Sequence, residues 1–255
     1  MKTLSSIYIL LYLFPLTLAG QSAKPDADFS FGINFSADYC YRTIIKNSND
    51  EIHAFIEKLR NENENPAFGF TSGLNLNYKI NNRLSVETGL HYSKKGYGVK
   101  FKKSDLFFGD PVDPRYGFTY DSIPSYLTNM EKISIFYYHH SIDIPLQLKM
   151  IAGKKKIRFI SGIGLITNIL LDATQKSVIK YEDGSKNRES SGQLGDFNTV
   201  TFSASGSAGI SYTLNGKISL LVEPTFRYGL TNISNTPVTA KLWNGGLNFS
   251  CYYNL

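Results

Sequence analysis

The chain has 255 residues, 27 Lys+Arg against 21 Asp+Glu for a formal net charge of +6, and 14% aromatic residues. The basic excess contains no long single-sign run, so it does not by itself argue for nucleic acid, and no nucleic-acid partner is expected. Its two cysteines, Cys40 and Cys251, lack metal-type spacing and no phosphate-binding glycine loop is present, so neither metal nor cofactor is expected.

The N-terminus, MKTLSSIYILLYLFPLTLAGQSA, carries Lys2, an apolar stretch from Ile7 to Leu18, and then small or polar residues. That pattern reads as a secretory signal peptide over 1–20, with cleavage after Ala19 or Gly20. Roughly a dozen apolar residues broken by Pro15 are too few to span a bilayer as a helix. No Cys follows the cleavage region to take a lipid anchor. Residues 21–255 then form one domain with no segment that resembles a transmembrane helix, which leaves two fates for an exported chain: soluble, or a β-barrel in an outer membrane.

Period-2 alternation marks eight strands in chain order. In the first, about 28–43, Phe29, Phe31, Ile33, Phe35, Tyr39 and Tyr41 alternate with Ser30, Gly32, Asn34, Ser36 and Asp38. Further strands are expected at 67–80, from 84, at 132–150, 157–172, 198–214 and 217–231, and from 241 to the end. The fifth is the least regular, with Ile157, Phe159, Ile163 and Leu165 on one face and Arg158, Gly162 and Gly164 on the other. The sixth sets Val200, Phe202, Ala204, Ala208, Ile210 and Tyr212 against an unbroken row of Ser, Thr and Gly. The closing GLNFSCYYNL repeats the rule, with Leu247, Phe249, Cys251, Tyr253 and Leu255 opposite Asn248, Ser250, Tyr252 and Asn254.

Connections alternate in length. Asn81-Asn82-Arg83, Ala152 to Lys156 and Asn215-Gly216 are short, the last reading as a two-residue hairpin, whereas 44–66, 94–131, 173–197 and 232–240 are long. Short turns at one rim and long loops at the other are the topology of an outer-membrane barrel, and an even strand count puts both termini on the short-turn, periplasmic side. A soluble lipocalin-type barrel would carry its large apolar residues inside and Lys/Glu outside. Here one face is Gly, Ser, Thr and Asn, suited to a crowded lumen, and the other is uncharged and aromatic-rich. The expectation is an all-β fold: an eight-stranded antiparallel up-and-down transmembrane β-barrel, facing outer-membrane lipid, with a short helix in the first extracellular loop.

Three stretches carry a family likeness: ETGLHYSKKGYG (Glu87 to Gly98), SIDIPLQLKM (Ser141 to Met150) and VEPTFRYGLTNI (Val222 to Ile233). With them the chain resembles the PorT-like outer-membrane β-barrel proteins of Bacteroidetes-type bacteria over essentially the whole mature sequence. The resemblance implies a barrel at the outer membrane, and for some relatives a part in protein secretion. It specifies strand ends and lumen residues, not a reaction. The chain departs from the common outer-membrane pattern in ending on Leu255 rather than an aromatic residue.

The polar faces gather Lys79, Glu87, Asp143, Lys149, Arg158, Glu223 and Arg227 in the lumen. Buried charge is tolerated only when paired, so an ion-pair network is expected to fill the interior. An eight-stranded barrel leaves just enough room inside for side chains, which favours a structural plug over conduction. His139, Ser141 and Asp143 share a face but do not make a triad, because alternate strand residues lie about 6.5–7 Å apart and put Asp143 roughly 13 Å from His139. Cys40 on the polar face and Cys251 on the lipid face cannot bridge. In the first long loop Ser48 and Glu51 make a capping box, and Ile52, Phe55, Ile56 and Leu59 recur at helical spacing. That stripe packs on the barrel rim or docks a protein partner in an outer-membrane complex. The second long loop interleaves Lys100, Lys102 and Lys103 with Phe101, Phe107, Phe108 and Tyr116, a surface for a partner or polysaccharide. The expected function is a non-enzymatic interaction or accessory role in secretion or outer-membrane assembly. The alternatives are a ligand-binding or adhesive barrel acting through its loops and, last, a membrane-embedded hydrolase or acyltransferase.

Overall fold

The computed structural model describes residues 29–47, 50–102, 129–153, 156–192 and 197–255. The signal-peptide expectation, Ser48, and the loop residues Lys103, Phe107, Phe108 and Tyr116 lie outside the described residues. Strands β1 (Phe29–Lys46), β2 (Glu64–Lys79), β3 (Leu84–Lys102), β4 (Met130–Ala152), β5 (Ile157–Tyr181), β6 (Lys186–Ser191), β7 (Val200–Thr213), β8 (Ile218–Gly229) and β9 (Val238–Asn254) surround one helix, α1 (Glu51–Asn63). No described helix is long and apolar enough to cross a membrane.

All pairings are antiparallel, and eight of the strands close a ring. β9 returns to β1 in an unbroken register from Ser30↔Asn254 to Lys46↔Val238, and β4 meets β5 from Ala152↔Phe159 upward. Closure leaves no free edge in the ring, the condition for burying strand backbone in lipid. β6 stands outside it as the returning arm of a hairpin on the upper part of β5.

The ring is apolar outward. Phe68 is 79% exposed and Ile163 69%, and Phe31, Ile33, Leu74, Phe159, Ile210 and Phe249 are likewise open. Asp38, Glu87, Asp143, Glu223 and Lys149 are meanwhile buried inside. A soluble protein rarely exposes so large a contiguous apolar band, so the outer face is solvated by lipid. Aromatic pairs brace it across strands, among them Phe35 with Phe70, Tyr39 with Phe68, and Tyr41 with Trp243.

Small inward residues make the narrow ring possible. A side-chain carbon on Gly246 would lie 2.0 Å from Asp38 Oδ1, and one on Gly32 would lie 2.6 Å from the Tyr252 ring. Glycine there makes space for the side chain directly opposite on the adjacent strand, since Gly246 pairs with Asp38 and Gly32 with Tyr252 between β1 and β9. Two turns share one device: Asn81 Oδ1 accepts from the backbone N–H groups of Arg83 and Leu84, and Asn215 Oδ1 from those of Lys217 and Ile218.

Three local expectations are corrected. Leu214 N–H bonds Ile218 carbonyl, so the Asn215-Gly216 turn has three loop residues, 215–217. β5 continues to Tyr181, well past residue 172, and much of the expected loop 173–197 is β-hairpin. A register shift opposite His140 and Ser141 inserts Leu171 as an extra residue in β5, after which Ala173 and Ile179 face inward. A bulge inverts the alternation that period-2 reading relies on, so the strand looked finished there. The helix is capped by Asp50, whose carboxylate accepts from Ile52 N–H, rather than by Ser48.

Candidate functional site

The lumen divides into two halves. Toward the short turns, Lys149 Nζ lies 2.9 Å from Glu87 Oε1 and 3.0 Å from Glu223 Oε1. Tyr252 donates its hydroxyl to Glu87 Oε2 at 2.6 Å, while Asn75 donates to Tyr252 and also meets His91. Asn248 donates to Glu223 Oε1. This group draws on β2, β3, β4, β8 and β9, so it ties opposite walls of the ring across its axis.

Higher, Arg227 reaches Asp38 at 3.2 Å, and Asp38 also accepts from Ser36 and Thr71. Lys95 pairs with Asp143 at 2.7 Å. Asp143 accepts further from Ser141 and Asn168, and Asn168 accepts from Ser203. A pocket of about 40 Å³ remains beside Lys95, His139, Ser141, Asn168 and Asn244. Charges taken out of water at this depth are tolerable because each carboxylate meets a cation and neutral donors together.

Of the seven expected lumen charges, Glu87, Lys149 and Glu223 form one group, and Asp143 and Arg227 sit in the others. Lys79 and Arg158 lie closer to the short turns. They line a second cavity below the Lys149 group, where Arg158 Nη2 donates to Thr213 Oγ1 at 3.2 Å. Asp38, Lys95 and Tyr252 complete the network and were absent from the expected set. Asp38 and Tyr252 fall on the polar parity of their strands; Lys95 lies two residues after Ser93, in what read as the beginning of a loop.

Ser141 hydrogen-bonds Asp143 and Ser93, while His139 turns its ring edge-on to Phe197 at 4.6 Å. His140 faces out, between Tyr92 and Thr174. Both cysteines are free thiols.

At the long-loop rim, α1 lies against β1, β3 and β9. Its inner side is fixed by charge as much as by apolar contact. Glu64 accepts from Arg60 Nε at 2.7 Å and from Arg42 Nε, and Arg42 also donates to Asn61 and to the Arg60 carbonyl. The Arg60 guanidinium stands over the Tyr97 ring. Ile56 is 9% exposed and packs inward, and Leu59 is half-buried. Ile52 and Phe55, by contrast, are 64% and 58% exposed. The expected stripe is therefore split, half on the rim and half open. Nothing in the pattern pointed to Arg60, because an arginine on a helix ordinarily reads as solvated.

A closed ring with a lipid-facing exterior, long loops at one rim and a packed polar lumen agrees with what sequence similarity finds over residues 20–235. The chain belongs to the outer membrane protein beta-barrel domain family. The match is to this broad family and leaves the PorT-like likeness a resemblance. Among solved structures, this family member is similar to neisserial surface protein A, with 12% identity, a TM-score of 0.43, and 88% of this chain and 96% of that one covered. It is similar to OprG from Pseudomonas aeruginosa at 12% identity and a TM-score of 0.43, covering 90% and 96%. Ail, the attachment invasion locus protein of Yersinia pestis, is similar at 10% identity and a TM-score of 0.32, covering 88% and 98%. No curated protein matches the chain. The family and the apolar exterior place the barrel in an outer membrane.

Proposed function

We propose that this barrel is a non-enzymatic interaction protein that presents α1 to a protein partner in an outer-membrane complex, with its short turns and both termini toward the periplasm. The observation that carries the reading is the pair Ile52 and Phe55, open on a helix whose other side is clamped by Arg60, Glu64 and Arg42. An apolar pair held in a fixed position loses little entropy on docking. The ion-paired lumen supports a scaffold rather than a pore. The resemblance to PorT-like barrels makes protein secretion or outer-membrane assembly the process.

The test is mild-detergent extraction of the native protein and mass spectrometry of what co-purifies, with the Ile52→Asp/Phe55→Asp variant beside it. A stoichiometric partner that the variant loses, while its heat-modifiable gel migration stays normal, supports the reading. A clean monomer from wild type overturns it.

One feature favours a second reading, a ligand-binding or adhesive surface. The β5–β6 hairpin rises beyond the ring, and among the described residues β6 ends the sheet, its outer edge bearing exposed Lys186, Arg188 and Glu189. Deleting 183–190 would abolish surface adhesion and spare partner capture if that reading holds.

A further inference from the structure

Below the Lys149 group the lumen widens into a cavity of about 1010 Å³ that opens between the short turns. Its volume is at the upper end of small-molecule sites, roughly 300–1,000 Å³. Five cationic side chains line it, Lys79, Arg83, Lys149, Lys156 and Arg158, against the Glu87 carboxylate and that of the terminal Leu255. Glu87 is already spent on the roof, with Oε1 on Lys149 and Oε2 taking the Tyr252 hydroxyl. Among the described residues, Arg83, Lys156 and Arg158 have no carboxylate within ion-pair distance. Arg158 has one neutral acceptor, Thr213, and its buried Nε has no partner.

Like charges gathered on the walls of a low-dielectric cleft raise the local concentration of anions. The next inward step of the strands is different in character: Ile160, Leu221 and Tyr252 pack together with Ile151 beside them, and all four border the cavity. A charged mouth beneath an apolar strip suits a ligand with an anionic head and an apolar flank. The closed roof admits it from one side only.

We propose that this turn-side vestibule is a binding site for a small organic anion, a carboxylate or phosphomonoester with an apolar body. Its head meets Arg158, Arg83 and Lys156, and its body lies on Ile160, Leu221 and Ile151. The site is independent of α1 and of any partner there.

The full chain, folded in a non-ionic detergent, is titrated by fluorine NMR with 4-(trifluoromethyl)benzoate, its neutral benzamide analogue, and inorganic phosphate as competitor. Expected is saturable one-to-one binding of the benzoate, and binding about tenfold weaker in Arg158→Gln, the scale of one charge-assisted hydrogen bond. The exposed double variant Arg83→Gln/Lys156→Gln should weaken it similarly, and covers the case in which Arg158→Gln fails to fold. The benzamide should bind at least about tenfold more weakly than the benzoate, and phosphate should compete poorly. Equal uptake of benzoate and benzamide, unchanged in the variants, would mean partition into detergent and overturn the proposal. Phosphate binding as tightly as benzoate would overturn the apolar half of the site and with it the ligand class.

Discussion

Asp143, in the loop-side half of the lumen, is held by Lys95, Ser141 and Asn168 at once, whereas Arg83, Lys156 and Arg158 at the turn side face a cavity in which, among the described residues, no carboxylate lies within ion-pair distance of them. Both regions are lined by polar residues of the same strands, but they obey different physics. Where side chains fill the ring, a charge has no water and must find an opposite charge plus hydrogen bonds, or it costs several kcal/mol. Where the ring opens between turns, water does that work and selection is free to leave charges unmatched. The boundary between the regimes is Lys149, buried and shared by two carboxylates.

Removing that boundary should have the largest effect. Lys149→Met leaves Glu87 and Glu223 facing one another without a cation, and should cost about 3–5 kcal/mol, the scale for breaking a buried pair. The single tryptophan, Trp243, packs between Tyr41 and Phe226 and reports unfolding by fluorescence in a urea titration. Adding Glu87→Gln and Glu223→Gln should restore most of the loss, since it removes the stranded charges. No restoration would mean that Lys149 stabilises through packing, not charge.

Gly246 tests the loop-side half by volume. Gly246→Val drives a side chain into Asp38 and the backbone of Ala37, at the crossing point of the Asp38–Arg227 pair. The expected loss is about 3 kcal/mol, the upper range for overpacking, read in the same titration. A change below about 0.5 kcal/mol would show that the loop-side lumen has slack, and would break the contrast with the vestibule.

Arg60 lies above both halves and should show a smaller, local effect. Arg60→Ala leaves Glu64 still paired with Arg42, so about 1.5–3 kcal/mol of rim stability is at stake, the scale of a hydrogen bond to a charged group. Limited proteolysis should cut within 50–63 faster, while the urea midpoint of the barrel stays put. If the midpoint moves instead, the rim cluster is part of the barrel's cooperative core.

How far these features could be read from the chain follows from what period 2 reports. Alternation assigns a face to each residue, so Glu87, Asp143, Glu223, the outward Ile163 and even Tyr252 in GLNFSCYYNL were legible as inside or outside. It does not report register, so which charge meets which was hidden. Glu87 stands opposite Gln147, and Lys149 reaches it only on the diagonal. Nor does it survive a bulge, which is why β5 seemed to end where Leu171 is inserted. The rim was hardest, because Arg60 and Glu64 are four apart and look like a surface pair until Arg42 arrives from β1. Arg158 lines the turn-side cavity from the polar face of its strand, but a face assignment carries no depth, and depth separates a paired charge from a wet one.

The smallest expected effect is the sharpest test of that separation. Arg83 sits in an exposed turn at the cavity mouth, its backbone N–H capped by Asn81 and its side chain without a carboxylate partner among the described residues. Arg83→Gln removes the charge and leaves a shorter, neutral side chain that still donates hydrogen bonds to water. If the vestibule is wet, the guanidinium gives up no buried ion pair on unfolding, and its loss relieves repulsion from Lys156 and Arg158. The urea midpoint should then shift by no more than about 0.5 kcal/mol, with any change toward greater stability. The relief should shrink as salt is added, because charges in water are screened over about 8–10 Å at moderate ionic strength. A loss above about 1 kcal/mol that persists at high salt would instead place Arg83 in a dry pair, and the vestibule would belong to the same regime as the lumen above it.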